Sequence, residues 1–225
     1  MEPEKIKLIT SDNFEISANF YGNGNKGAPA AVLAHMLPSN KESWDEFAKK
    51  LNDAGFQCLA IDLRGHGESQ GGPEGSKKFT DQEHQASIED VKAAVKFFTG
   101  KGIELGKICL VGASIGANLS LWLQFENPEV KASALLSPGL NYKGIETERF
   151  AKNLGESQAV FLVAGGENDG YSSETVFKLS HLIKSPNKKI KIFENAGHGT
   201  DIFKEESGIM DEIVEWFKGI YLPAN

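Results

Sequence analysis

Short apolar runs alternate with amphipathic stretches along most of the chain. The runs at 30–35, 57–63, 107–112, 132–137, 159–164 and 189–193 predict strands covered on both faces, as in a parallel sheet. Ahead of them, 5–10 and 14–21 are joined by Ser11-Asp12-Asn13, whose turn-forming side chains predict a hairpin.

Between the strands lie helical patterns with recognisable ends. Ser43 and Glu46 have capping-box spacing, Trp44, Phe47 and Leu51 form an apolar stripe, and Gly55 supplies a stop. Thr80 and Glu83 open a second helix carrying Ile88, Val91, Val95 and Phe98. A third runs from Ser114 towards Phe125 and ends before Pro128. Helices at 173–184 and 208–220 complete the set. Strand–helix alternation of this kind predicts an α/β fold: a doubly wound, mostly parallel sheet of about eight strands with helices on both faces. No repeat or linker divides it, so residues 1–225 are expected to form one domain. The loops at 70–78 and 138–157 are too short for a substantial lid, although the second has room for a short helix near 146–154.

Composition narrows the partners. A formal net charge of −7 argues against a phosphate-binding surface, because nucleic-acid affinity depends on Lys and Arg neutralising phosphates. Cys58 and Cys109 each sit in an apolar run, and neither has metal-site spacing. The start of the chain lacks the basic and apolar regions of a signal peptide, and no apolar stretch reaches the ~20 residues that span a bilayer. A cytoplasmic protein acting on a small molecule is expected, with no nucleic-acid or membrane partner.

The strongest chemical signal is Gly112-Ala113-Ser114-Ile115-Gly116, which follows an apolar strand and precedes a helix. Small neighbours let strand and helix approach around an exposed serine, and the helix N-terminus offers N–H groups to a developing oxyanion. In the same context an ordinary tight turn would carry an N-cap serine. No H-E-x-x-H, paired Cys/His or Walker pattern is present, so neither a metal nor another cofactor is expected.

With Gly112–Gly116 in place, the sequence resembles the α/β-hydrolase family, and other segments extend the match. Val32-Leu33-Ala34-His35-Met36-Leu37 is similar to the family's strand-3 segment, and Asp62-Leu63-Arg64-Gly65-His66-Gly67-Glu68-Ser69 to the turn after the next strand. Gly166-Glu167-Asn168-Asp169 and Ala196-Gly197-His198 are similar to its acid and histidine loops. The resemblance implies Ser114 as nucleophile and a base beyond the acid in chain order, which leaves His181 and His198. His181 falls within a predicted helix, off its apolar stripe, whereas His198 follows a strand in a loop. Family spacing favours Asp169 as the acid, with Glu167 the competitor two residues earlier. The resemblance also implies an oxyanion hole from the backbone N–H groups of Ile115 and Leu37.

One departure stands out: Met36 replaces the glycine usual after the histidine. It would narrow the acyl pocket or shift the donor to its own N–H. Met36, Leu37 and Tyr171 are the expected substrate contacts. His35, Arg64 and His66 are expected to brace the loops. The implied activity is two-step hydrolysis of a small or medium carboxylic ester. Acyl transfer to another acceptor, thioester or peptide cleavage, and ligand binding without turnover remain alternatives on the same fold.

Overall fold

The computed structural model describes residues 2–222. Among the described residues, ten strands and eight α-helices follow in chain order: β1 (Glu4–Ile9), β2 (Glu15–Tyr21), β3 (Ala30–Ala34), α1 (Asp45–Asp53), β4 (Gln57–Ile61), α2 (Asp81–Gln85), α3 (Ile88–Gly100), β5 (Ile108–Ala113) and α4 (Ile115–Glu126). Then come β6 (Ala132–Leu136), β7 (Asn141–Tyr142), β8 (Ile145–Glu146), α5 (Thr147–Lys152), β9 (Ala159–Ala164), α6 (Gly170–Leu182), β10 (Lys188–Ile192), α7 (Ile202–Glu205) and α8 (Gly208–Tyr221).

Eight strands form one sheet in the order β1-β2-β4-β3-β5-β6-β9-β10. The β1–β2 and β2–β4 pairs are antiparallel and the rest parallel. Strand side chains alternate between faces, so the sheet feeds two cores. Within β9, Val160, Leu162 and Ala164 pack with α3, α4 and α6, whereas Phe161 and Val163 pack with α1 and α8. The expected α/β architecture is present.

Four local readings differ from expectation. Ser43 does not cap a helix: its hydroxyl donates to the Asn40 carbonyl within a 3₁₀ turn, and α1 starts at Asp45. The Thr80–Glu83 capping box does form, but its helix stops at Gln85 and α3 begins afresh at Ile88. β10 is not covered on both faces. It is an edge strand in which Ile190 and Ile192 are exposed, and its lysines are of the kind that discourage edge-to-edge pairing. The segment after β6 is more ordered than a plain loop, since it holds the β7–β8 hairpin as well as α5.

Candidate active site

Ser114 lies between β5 and α4 with φ 54° and ψ −118°, a left-handed conformation that costs a non-glycine residue of order 1–3 kcal/mol. The flanking glycines make the turn possible. A Cβ on Gly112 would stand 2.1 Å from the Gly116 carbonyl oxygen, and one on Gly116 would stand 2.2 Å from that of Ala34. The chain therefore passes so close to itself, and to β3, that no other residue fits at either position.

Asp169 and His198 arrive from the loops after β9 and β10, at the same C-terminal edge of the sheet, where sites gather in open α/β folds. His198 Nδ1 lies 2.6 Å from Asp169 Oδ1. A carboxylate can only accept, so this bond puts an N–H on Nδ1 and, in the neutral ring, leaves Nε2 as the acceptor. Asp169 Oδ2 accepts from the Ser137 hydroxyl at 2.6 Å and the Gly165 N–H at 3.1 Å. Burial pushes this carboxyl's pKa up, but the bonds from His198, Ser137 and Gly165 outweigh it, and the group ends below its ordinary value. Glu167 is exposed and its side chain takes no part. Among the described residues no hydrogen bond joins Ser114 to His198, a contact that often tightens only around substrate.

Ser137 escaped the sequence reading. It directly follows β6 at φ 51°, fully buried, and its hydroxyl also accepts from the Gly199 N–H at 2.8 Å. One hydroxyl thus ties the acid loop to the histidine loop. Its only signal in the sequence is its place at a strand end, directly before Pro138. A second tie runs from the Gly197 N–H to Asn168 Oδ1.

Ile115 is the first residue of α4, and Leu37 follows β3 by way of His35 and Met36. Among the described residues neither N–H is donated to a protein acceptor, so both remain available at the sheet edge. The loop between β3 and α1 is held from behind. His35 is fully buried; its Nε2 accepts from the Leu63 N–H at 3.0 Å, which puts the proton on Nδ1, 2.8 Å from the Met36 carbonyl. Burial, with His66 and Lys41 nearby, drives the His35 pKa down to about 3, so the ring stays neutral. Farther along, Lys41 is also fully buried. Its ammonium lies 2.6 Å from Asp62 and 2.9 Å from Glu68, and its N–H donates to Asp62. Burial alone would lower the Lys41 pKa, but these carboxylates more than reverse that and it stays charged. The expected braces in the next turn are present as well: Arg64 is bound to Asp90 and Asp12, and His66 Nδ1 contacts the Arg64 carbonyl.

Met36 and Leu37 point to opposite faces of the sheet, Met36 towards the α1/α8 core and Leu37 towards the α3/α4 core. The Met36 sulfur fills the space that a side chain at position 199 would need, since a Cβ there would lie 2.5 Å away. Met36 also lines a cavity of about 670 Å³ with Phe47, Phe203 and Met210. The methionine therefore joins the β3 loop to the histidine loop. Tyr171 stands one step back. Its hydroxyl accepts from the Asn141 N–H at 3.0 Å and so holds the β7–β8 hairpin. That hairpin places Tyr142 against the site, its ring perpendicular to the His198 ring at 6.3 Å. Nothing in the sequence reading singled Tyr142 out. It reaches the site only through the hairpin, which residue pattern alone did not reveal.

A doubly wound sheet carrying a serine on a strained strand–helix turn, with a carboxylate–imidazole pair at the same edge, defines a class of protein. The alpha/beta hydrolase fold model matches residues 29–158, and the chain belongs to that family. A rat protein named as a candidate protein-lysine deacylase, ABHD14B, is 23% identical over 203 residues, covering 86% of this chain and 87% of that one. Among solved structures, the esterase Pf2001 of Pyrococcus furiosus superposes with a TM-score of 0.78 at 20% identity, covering 96% of this chain and 90% of its own. Est1E of Butyrivibrio proteoclasticus, solved with ferulic acid, gives 0.78 at 17% identity, covering 96% and 99%. At these identities the structural likenesses establish the fold. Among the described residues no helix is long and apolar enough to cross a membrane, and no cluster of His, Cys, Asp and Glu has the makings of a metal site.

Proposed function

We propose that this protein is a serine hydrolase that cleaves a small or medium carboxylic ester through an acyl-enzyme. The observation that carries the reading is the Asp169–His198 bond at the sheet edge where Ser114 sits on its strained turn. Asp169 holds the imidazole in the tautomer with Nε2 free and stabilises the imidazolium that forms. His198 takes the Ser114 proton as the serine attacks the carbonyl. The tetrahedral oxyanion receives the N–H groups of Ile115 and Leu37. His198 then gives its proton to the leaving alcohol, and water, activated by the same imidazole, releases the acid. No cofactor enters the scheme.

The preference for a modest substrate rests on the short segment after β6, which builds a hairpin and one short helix rather than a lid domain. The rat relative's name favours a second bond type, an amide on a lysine side chain, which the same residues would attack. Turnover of short-chain p-nitrophenyl esters beside an acetyl-lysine peptide tests both. Ester hydrolysis that disappears in Ser114→Ala supports the reading, and peptide deacetylation without ester turnover would replace the ester with the amide. No turnover of either in folded protein would leave binding without hydrolysis as the better account.

A further inference from the structure

A cavity of about 670 Å³ lies against the catalytic loops, and the acyl-transfer scheme leaves it without a role. Its size is that of a small-molecule site. Met36, Pro38 and Ser39 line it from the β3 loop, on either side of Leu37; Thr200 and Asp201 line it from the histidine loop, just past His198. Phe47, Phe203 and Met210 form an apolar wall. The two loops meet where the Met36 sulfur packs on Gly199, so closely that a Cβ there would lie 2.5 Å from it. The same Cβ would lie 3.4 Å from that of Ala113, the residue before Ser114. The cavity thus begins at the chain neighbours of the nucleophile, the base and the Leu37 amide.

The site has a different wall on the other face of the sheet. Met36, Phe47, Phe203 and Met210 pack on the α1/α8 side, whereas Leu37, Leu140 and Tyr142 pack on the α3/α4 side. The β7–β8 hairpin stands on that second side, with the Tyr142 ring edge-on to His198.

The reaction fixes which substituent faces which wall. In the tetrahedral intermediate the oxyanion points to the Leu37 and Ile115 N–H groups, and the leaving oxygen points to His198, which protonates it. The alcohol carbon on that oxygen therefore starts between Leu37 and His198. Past these two residues both loops run on as walls of the cavity, through Ser39 on one side and Thr200 on the other. The acyl substituent is left with the hairpin. The lining also narrows the chemistry. Glu42, Asp45 and Glu46 carry carboxylates at the cavity, and Lys204 is already bound to Asp201 at 2.7 Å, so an anionic group is disfavoured.

Resting on the serine-hydrolase reading, we propose that this cavity is the subsite for the leaving alcohol. The substrates are then esters of apolar alcohols several carbons long that carry no negative charge.

Ethyl and hexyl butyrate test the assignment. They form the same acyl-enzyme and release alcohols of equal basicity, so the ratio of kcat/KM, hexyl over ethyl, reads the alcohol alone. The parent should favour the hexyl ester about tenfold or more, since each buried methylene adds a few-fold. Ser39→Trp fills the cavity from the β3 loop and should erase that preference. Its ratio of p-nitrophenyl hexanoate over acetate should stay at the parent value. Should Ser39→Trp fail to fold, Ser43→Phe fills the same cavity, and the same outcome is expected. No hexyl preference in the parent, or a parent-like preference in the filled variant, overturns the proposal. So does a filled variant that loses hexanoate over acetate instead, which would give the cavity to the acyl chain. Fluorophosphonate labelling of Ser114 in the same samples leaves the hydrolase reading standing in each of these cases. Folded parent protein with neither labelling nor turnover overturns both.

Discussion

The Asp169 carboxylate holds His198 Nδ1 at 2.6 Å, while Glu167, two residues earlier in the same loop, is turned out to solvent. Spacing alone left these two acids in competition; the backbone separates them. Gly166, at φ 88°, turns the chain so that its residue three positions on faces inward. Asp169→Asn should therefore reduce kcat/KM on the order of a thousandfold or more, since the amide favours the wrong imidazole tautomer. Glu167→Gln should stay within a few-fold of the parent. Steady-state kinetics on one ester checks both, and the reverse ranking would move the acid to Glu167.

Ser137 should matter without touching the substrate. Its hydroxyl satisfies Asp169 Oδ2 and the Gly199 N–H, so Ser137→Ala loosens both loops at once. We expect a fall in kcat of roughly ten- to a hundredfold, the range in which supporting hydrogen bonds around functional groups act. The acidic limb of the pH profile should move as well, because Asp169 loses a bond that lowers its pKa. A parent-like profile and rate would mean that the two loops hold without it.

The buried Lys41–Asp62 pair is a folding element under the β3 loop. Lys41→Met leaves a fully buried carboxylate without its cation and should cost about 3–5 kcal/mol in urea unfolding. Adding Asp62→Asn should recover part of that loss. A single variant as stable as the parent would mean that solvent reaches the pair.

Stability should fall in mild acid through His35. Its folded pKa is about 3 against an ordinary 6.5, so between those values the unfolded chain binds the extra proton. Where the unfolded state binds more protons, stability rises with pH. The loss should thus begin as pH drops below about 6.5 and continue towards 3. The thermal midpoint measured from pH 7.5 to 4 should drop, and less steeply in His35→Asn. Identical slopes in the two proteins would remove His35 as the cause.

Much of this fold was legible because apolar runs must be buried. The run at 159–164 became β9 without a residue's change, and the others shifted by one or two residues at their ends. Lys188–Ile192 misled because its apolar residues suggested cover on both faces, and only the sheet order reveals an edge. The site divides the same way. Ser114 and His198 announce themselves through local glycines and loop position. Ser137 and Tyr142 reach the site through contacts made by residues about 30 to 60 positions away, which local spacing does not encode.

The proposed hydrolysis requires Ser114 to be an activated nucleophile. Purified protein treated with a fluorophosphonate and analysed by peptide mass spectrometry tests it most directly. Stoichiometric modification on Ser114 is expected, abolished in Ser114→Ala and slowed on the order of a thousandfold or more in His198→Ala, with both variants folded. Folded parent protein that takes up no label, or labels elsewhere at the same rate in Ser114→Ala, would contradict it.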